Sequence, residues 1–123
     1  MYERHETGRI GENIAVNYLE KNGYKVIDRN FECKQGEIDI VALDKDVIVF
    51  VEVKTRASAL YGLPKEAVDK TKKKHIYRSA EYYAYSHNLE NEPIRIDVIE
   101  IYKKQGKFWV NHIKQAITEK PSK

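Results

Sequence analysis

The sequence is poor in most features that would hold or anchor a short chain from outside its core. It has one cysteine, Cys33, which excludes a disulfide within the chain and a cysteine-rich zinc site. Cys33 itself reads as a small, half-buried side chain. No apolar run approaches the roughly 20 residues of a membrane-spanning helix, so no membrane partner is expected. The first residues, Met1-Tyr2-Glu3-Arg4-His5-Glu6, are too polar to open a secretory signal, and the expected location is cytoplasmic. There is no long polar linker, internal repeat or low-complexity segment, so residues 1–123 read as a single domain. A chain of that length buries a core without staples. An excess of one charge is also missing. Charged residues make up 33% of the chain, yet the net charge is +3, too small to name a nucleic-acid partner by itself.

Residues 36–54 organise what is there. Gly36-Glu37-Ile38-Asp39-Ile40-Val41-Ala42-Leu43 and Val47-Ile48-Val49-Phe50-Val51-Glu52-Val53-Lys54 are runs rich in Val and Ile, separated by Asp44-Lys45-Asp46. They read as a β-hairpin in a central sheet. Asp39, Glu52 and Lys54 sit inside or at the ends of these runs, and burying a charge costs free energy unless it is paired or bound to a cation. Glu52 and Lys54, two apart, leave the same face. An even-numbered turn, Asp44-Lys45 or Leu43 to Asp46, sets Asp39 across from Phe50 on that same face, roughly 7–8 Å from Glu52 on the diagonal. Two carboxylates at that separation can converge on one divalent ion with a lysine alongside. An odd turn sends Asp39 to the opposite face. The plain alternative is an exposed hairpin face carrying solvated charges.

The flanking elements follow from periodicity. Residues 6–22 read as a helix with Ile10, Ile14, Ala15, Tyr18 and Leu19 on one stripe, stopped by Asn22-Gly23. Gly8 and Gly11 lie on or beside that stripe and would allow close approach to a sheet. Residues 24–32 form an irregular strand near a sheet edge, and Cys33 to Gly36 a turn. Glu37 opens the next strand as an exposed or supporting acid. A loop is expected from Thr55 to Pro64, with Arg56 placed to reach phosphate. Pro64 to Val68 reads as one helical turn, and Asp69 as the N-cap of a helix from 70 to about 87. That helix opens with Lys70, Lys72, Lys73 and Lys74, which oppose its dipole, so a nucleic-acid contact is the use that fits them. Its buried stripe is Ile76, Ala80, Tyr83 and Ala84, with Tyr77, Tyr82 and Tyr85 nearby as core or partner surface. Residues 94–101 alternate as a strand with one polar face, Gln105-Gly106 is a hairpin turn, and residues 108–113 form a last strand. His112, without a partner in sequence, reads as structural. Residues 120–123 read as a frayed tail. This order gives an α/β domain with a central mixed sheet between helices.

Asp39 followed by Glu52-x-Lys54 on adjacent strands resembles the PD-(D/E)XK nuclease signature, with Ile38 where the signature's name has proline. The wider string is more specific. Gly36-Glu37-Ile38-Asp39, Phe50-Val51-Glu52-Val53-Lys54-Thr55-Arg56 and Gly62-x-Pro64-x-Glu66-Ala67-Val68 resemble the YraN-type family of small bacterial proteins, predicted endonucleases related to archaeal Holliday junction resolvases. The resemblance runs from Gly11-Glu12 to Arg95-Ile96-Asp97-Val98. It implies a restriction-endonuclease-like fold and Mg²⁺- or Mn²⁺-dependent hydrolysis of phosphodiester bonds in DNA, branched recombination or repair intermediates included. It places Asp39, Glu52 and the Val53 carbonyl on the metal, Lys54 on the attacking water or the phosphate, and Glu12 in the acidic cluster. Lys72 falls where the family commonly has a lysine. Junction resolvases work as dimers, so a homodimer is implied as well. Two other classes stay open at this point: a nucleic-acid-binding module that keeps the fold without catalysis, and a protein-interaction domain using the tyrosine-rich helix.

Overall fold

A computed structural model describes residues 6–56 and 70–117. The expected turn at Pro64 to Val68, the Asp69 cap and the tail lie outside the described residues. The elements run α1 (Glu6–Lys21), β1 (Lys25–Cys33), β2 (Gly36–Asp44), β3 (Val47–Arg56), α2 (Lys70–Ser86), β4 (Ile94–Lys104) and β5 (Lys107–Ile113). The strands form one mixed sheet in the order β1-β2-β3-β4-β5, parallel only between β3 and β4. This is an α/β arrangement compatible with a restriction-endonuclease-like fold. No helix among the described residues is long and apolar enough to cross a membrane.

Both helices end the same way. Tyr24 N–H donates to Leu19 O at 3.0 Å and Gly23 N–H to Glu20 O at 3.2 Å, with Gly23 at φ 89. At the end of α2, Leu89 N–H donates to Ala84 O at 2.7 Å and Asn88 N–H to Tyr85 O at 3.2 Å, with Asn88 at φ 58. Each is a Schellman closure, with asparagine taking the left-handed position in the second. The core has a layer on each side of the sheet. Ala15 and Leu19 of α1 pack with Ile40, Ala42, Val49, Val51, Ile99 and Ile101. Ile76, Ala80 and Tyr83 of α2 pack with Val41, Ile48, Phe50 and Ile96.

Several expectations are corrected. Ile10 is 41% exposed. The face of α1 that meets the sheet begins instead at Gly11 and Glu12, both buried. A Cβ on Gly11 would run into Thr55 Oγ1, whereas one on Gly8 would meet nothing among the described residues. Strand β3 does not give way to a loop at Thr55, because β4 pairs with it as far as Arg56↔Tyr102. The polar positions of β4 are not a solvated face: Asp97 and Glu100 are fully buried. Asp97 accepts from Arg95 Nε at 2.9 Å, Arg95 Nη2 at 3.0 Å, His112 Nε2 at 2.7 Å and Gln115 N–H at 3.0 Å. Arg95 also donates to Asp44 at 3.0 Å and Tyr24 at 2.7 Å. His112 is thus structural, held between Asp97 and the Tyr18 hydroxyl at 3.0 Å.

Candidate active site

The hairpin turn is Lys45-Asp46, with Lys45 in the left-handed region at φ 57. The turn is even-numbered, but it sits one residue later than the shorter turn expected. Val41, not Asp39, therefore pairs with Phe50, and the ladder runs on to Ile40↔Val51, its last pair. The expected register, Asp39 across from Phe50, is thus not the one adopted, and the ladder stops short of Asp39 and Glu52.

The ladders fail around Asp39 on both sides. On β1 the pairs are Arg29↔Ile40 and then Phe31↔Ile38, with Asn30 between them at φ 56. Arg29 reaches toward α1, donating to Asn13 at 2.9 Å, whereas Phe31 packs on Tyr83 of α2 with ring centroids 4.9 Å apart. Two residues that strict alternation would place on one face thus point to opposite faces. Irregularities of this kind re-aim side chains beside functional sites. On the β3 side the Asp39 carboxylate takes over from the ladder: Oδ2 accepts from Val53 N–H at 2.8 Å.

Three acids converge on this break from three elements. Asp39 is 6% exposed, Glu52 5% and Glu12 2%. Burial first, and then the Glu52 carboxylate, push the Asp39 carboxyl up to about 8; the Val53 N–H pulls the other way, and Glu12 and Glu37 add to the rise. Cations reach the cluster at separate points. Lys54 Nζ lies 3.3 Å from Glu52 Oε2, and Lys72 Nζ, arriving from α2, lies 3.4 Å from the same oxygen. Arg29 Nη2 lies 3.8 Å from Glu12 Oε1.

The site residues expected from sequence divide accordingly. Asp39, Glu52, Lys54 and Lys72 come together, with Glu12 close enough to raise the Asp39 carboxyl. Val53 contributes its N–H to Asp39. Lys73 and Lys74 are exposed and turn away from the face of α2 that carries Lys72, Ile76 and Ala80. Arg56 lies further along β3, beside Tyr102. The donor set is all hard oxygen, which suits Mg²⁺ or Mn²⁺ rather than a thiophilic ion. Among the described residues no three His, Cys, Asp or Glu side chains are grouped tightly enough to hold a metal as they stand. Two ammonium groups also lie on Glu52 Oε2, an oxygen that a metal would need.

Residues 11–101 match the family described as "Uncharacterised protein family UPF0102". The chain belongs to this family. It is the YraN-type family that the motifs around Asp39 and Glu52 resemble. The UPF0102 protein of Caldanaerobacter subterraneus subsp. tengcongensis is 50% identical over 112 residues, covering 89% of this chain and 92% of its own. That of Clostridioides difficile is 47% identical over 111 residues, covering 90% and 96%. The UPF0102 protein of Clostridium acetobutylicum is 53% identical over 96 residues, covering 78% and 79%. The matched UPF0102 region takes in Glu12, Asp39, Glu52, Lys54, Arg56 and Lys72.

Sequence reasoning missed Glu100, whose Oε1 accepts from Tyr102 Oη at 3.1 Å and Asn111 Nδ2 at 2.9 Å. It also missed the grouping of Tyr102, Lys104, Lys107 and Trp109 around the β4–β5 turn. The available signal was the pair of lysines flanking Gln105-Gly106, two residues from a tyrosine on one side and a tryptophan on the other.

Proposed function

We infer that this protein is a metal-dependent endonuclease that hydrolyses phosphodiester bonds in DNA, working in the cytoplasm as one domain over residues 1–123. The observation that carries this reading is the meeting of Asp39 and Glu52, both buried, where the β2–β3 ladder ends, with Lys54 3.3 Å from Glu52. Buried like charges are unfavourable for a fold unless a cation offsets them. Their presence at a break in a sheet therefore fits a site kept for use.

Asp39, Glu52 and the Val53 carbonyl are the groups that would hold Mg²⁺ or Mn²⁺. Such an ion, when bound, supplies a water of lowered pKa and neutralises charge growing on the scissile phosphate. The chain's own residues do the rest. Val53 N–H fixes the orientation of the Asp39 carboxylate. Lys54 stays close to the reacting groups as a fixed positive charge, positioning the attacking water or stabilising the phosphate. Glu12 adds a carboxylate from α1, directly or through water. Lys72, Lys73, Lys74 and Arg56 supply positive charge for the phosphate backbone. A homodimer fits a substrate cut on two strands.

A second reading is a binding module with the fold and without catalysis. The observation in its favour is that Glu52 is already paired with two lysines. Cleavage of linear, flapped and four-way DNA with Mg²⁺ or Mn²⁺ separates the two, using Asp39→Asn prepared in parallel as the control for contaminating nucleases. Cutting by the parent and none by the variant supports the endonuclease. Equal residual cutting by both would leave the binding module in its place.

A further inference from the structure

The sheet face that carries Glu52 and Lys54 continues across β4 and β5. Arg56 is two residues beyond Lys54 and pairs with Tyr102 of β4; Tyr102 in turn pairs with Trp109 of β5, and Lys104 with Lys107. Cross-strand partners share a face, and so do alternate residues of one strand. Beyond Lys54, the face that carries Glu52 therefore continues into a band made by Arg56, Tyr102, Trp109, Lys104 and Lys107. Tyr102, Lys104, Gln105, Lys107 and Trp109 line an open cleft of about 430 Å³ with no acid among them. Trp109 is 57% exposed, and both lysines are exposed.

Arg56 stands between the acidic site and this cleft. Its Nε and Nη2 are buried and have no hydrogen-bond partner among the described residues. Arg56 thus brings a fixed positive charge to this stretch of the face, although these two donors are themselves withheld from a ligand by burial. Glu100, fully buried, shares this face, paired with Lys54 of β3 and Asn111 of β5; its Oε1 accepts from the Tyr102 hydroxyl and its Oε2 is without a partner among the described residues. The acid thus fixes Tyr102 and is itself withheld from a ligand.

We propose that Trp109 and Tyr102, with Lys104, Lys107 and Arg56, form a stacking platform for a single-stranded segment of the nucleic acid whose duplex part lies at the acidic site. The proposal rests on the endonuclease reading for what lies at Asp39 and Glu52. An exposed aromatic edged by lysines binds a polyanion that carries planar bases, and the bases must be unstacked to reach it. The buried core of a protein interface, by contrast, is depleted of lysine. From Glu52 to Trp109 is roughly 13 Å along the strands and 10 Å across them, the span of a few nucleotides. The substrate would then be a junction of double and single strands, with the free strand led away over β4 and β5.

Trp109 is the sole tryptophan of the chain, so its fluorescence reports the platform directly. The experiment titrates the full-length protein, in EDTA, with an oligothymidylate of about 12 nucleotides and with a blunt duplex of the same length. The oligothymidylate should quench Trp109 and the duplex should not. By anisotropy of a labelled strand, Trp109→Ala should weaken binding of the oligothymidylate about 5- to 150-fold, and Trp109→Phe should recover most of it, as one base–aromatic stack predicts. Lys104→Ala with Lys107→Ala leaves the reporter in place and should weaken the same titration. Because Trp109 lies at the surface, none of these variants removes core. No quenching by the single strand, or an unchanged affinity in Trp109→Ala, overturns the platform. Emission that shifts with protein concentration but not with oligonucleotide overturns it in favour of a self-association surface. Cleavage is scored separately. Binding with quenching but no Mg²⁺-dependent cut leaves the platform and removes the endonuclease. A cut abolished by Asp39→Asn, on substrates that Trp109→Ala handles as the parent does, leaves the endonuclease and removes the platform.

Discussion

Lys72 Nζ of α2 lies 3.4 Å from Glu52 Oε2 of β3, the same oxygen that Lys54 approaches to 3.3 Å. A helix cation thus competes for the carboxylate that a metal would use. Lys72→Met should raise Mn²⁺ affinity by about two- to fivefold, the worth of a half-exposed ion pair. Calorimetric titration measures it, and an affinity that falls instead would mean that Lys72 helps to hold the site open.

Lys54→Ala separates metal binding from chemistry. It removes no metal ligand, so metal affinity should hold or rise while single-turnover cleavage falls about 10²–10³-fold, the usual effect of removing a group that acts in the transition state. Ca²⁺ should support substrate binding by the parent and by Lys54→Ala, with little cutting by either. A variant that cuts as fast as the parent reduces Lys54 to a charge at a strand end.

Asp39→Asn keeps an oxygen for Val53 N–H and replaces a carboxyl that burial and Glu52 keep largely protonated below about pH 8. In EDTA near neutral pH the variant should melt at or above the parent's temperature. Adding Mn²⁺ should raise the melting point of the parent only; a ligand at about 100 times its Kd adds about 2.7 kcal/mol. Equal shifts in the two proteins would place the metal elsewhere.

The basic opening of α2 has its own test. Replacing Lys72, Lys73 and Lys74 together should weaken DNA binding and flatten its logarithmic salt dependence. On duplex DNA the slope should fall by up to roughly 0.9 for each phosphate that is no longer neutralised. An unchanged slope would leave these lysines solvated bystanders.

Asp97 sets a pH dependence remote from the acidic cluster. Burial alone would raise its carboxyl, but hydrogen bonds from His112, Arg95 and Gln115, with the Arg95 charge, overcome that and hold it below 3.8. A depressed carboxyl stabilises the fold fully above its ordinary value and loses that contribution as pH falls through the folded value. Stability should therefore drop with acid below about pH 4. Asp97→Asn should cost about 3–5 kcal/mol at pH 7, as expected when a buried ion pair loses one partner, and should show a shallower acid transition. Urea unfolding across this range checks both.

The elements were legible because each apolar pattern is clean: unbroken Val- and Ile-rich runs in β2 and β3, and helical spacing in α2. The expected buried stripe of α2, Ile76, Ala80, Tyr83 and Ala84, is buried as expected, with Ser79 added to it. Register was not legible, because it turned on Lys45 adopting φ 57, a conformation with no strong signature for lysine. The extent of β3 was missed because its last residues are held by β4, some 46 positions away, as in Lys54↔Glu100. Nor does sequence reveal that Asp97 and Glu100 are buried. Their partners, His112 and Asn111, come from β5, and only the folded sheet brings them together. Of the candidate site, the residue types were readable, whereas the break in the ladders that gathers them was not.

The parallel pairing of β3 with β4 has a consequence for the order of assembly. Asp39 and Glu52 belong to one hairpin closed by a two-residue turn, whereas Lys72, Tyr102 and Trp109 lie in or beyond the crossover that the parallel pair requires. Local hairpins close in microseconds, and non-local parallel pairing is slow. During synthesis the hairpin leaves the ribosome first. The two acids are then side by side in the nascent chain while the lysine of α2 and the aromatic band of β4 and β5 have yet to be made.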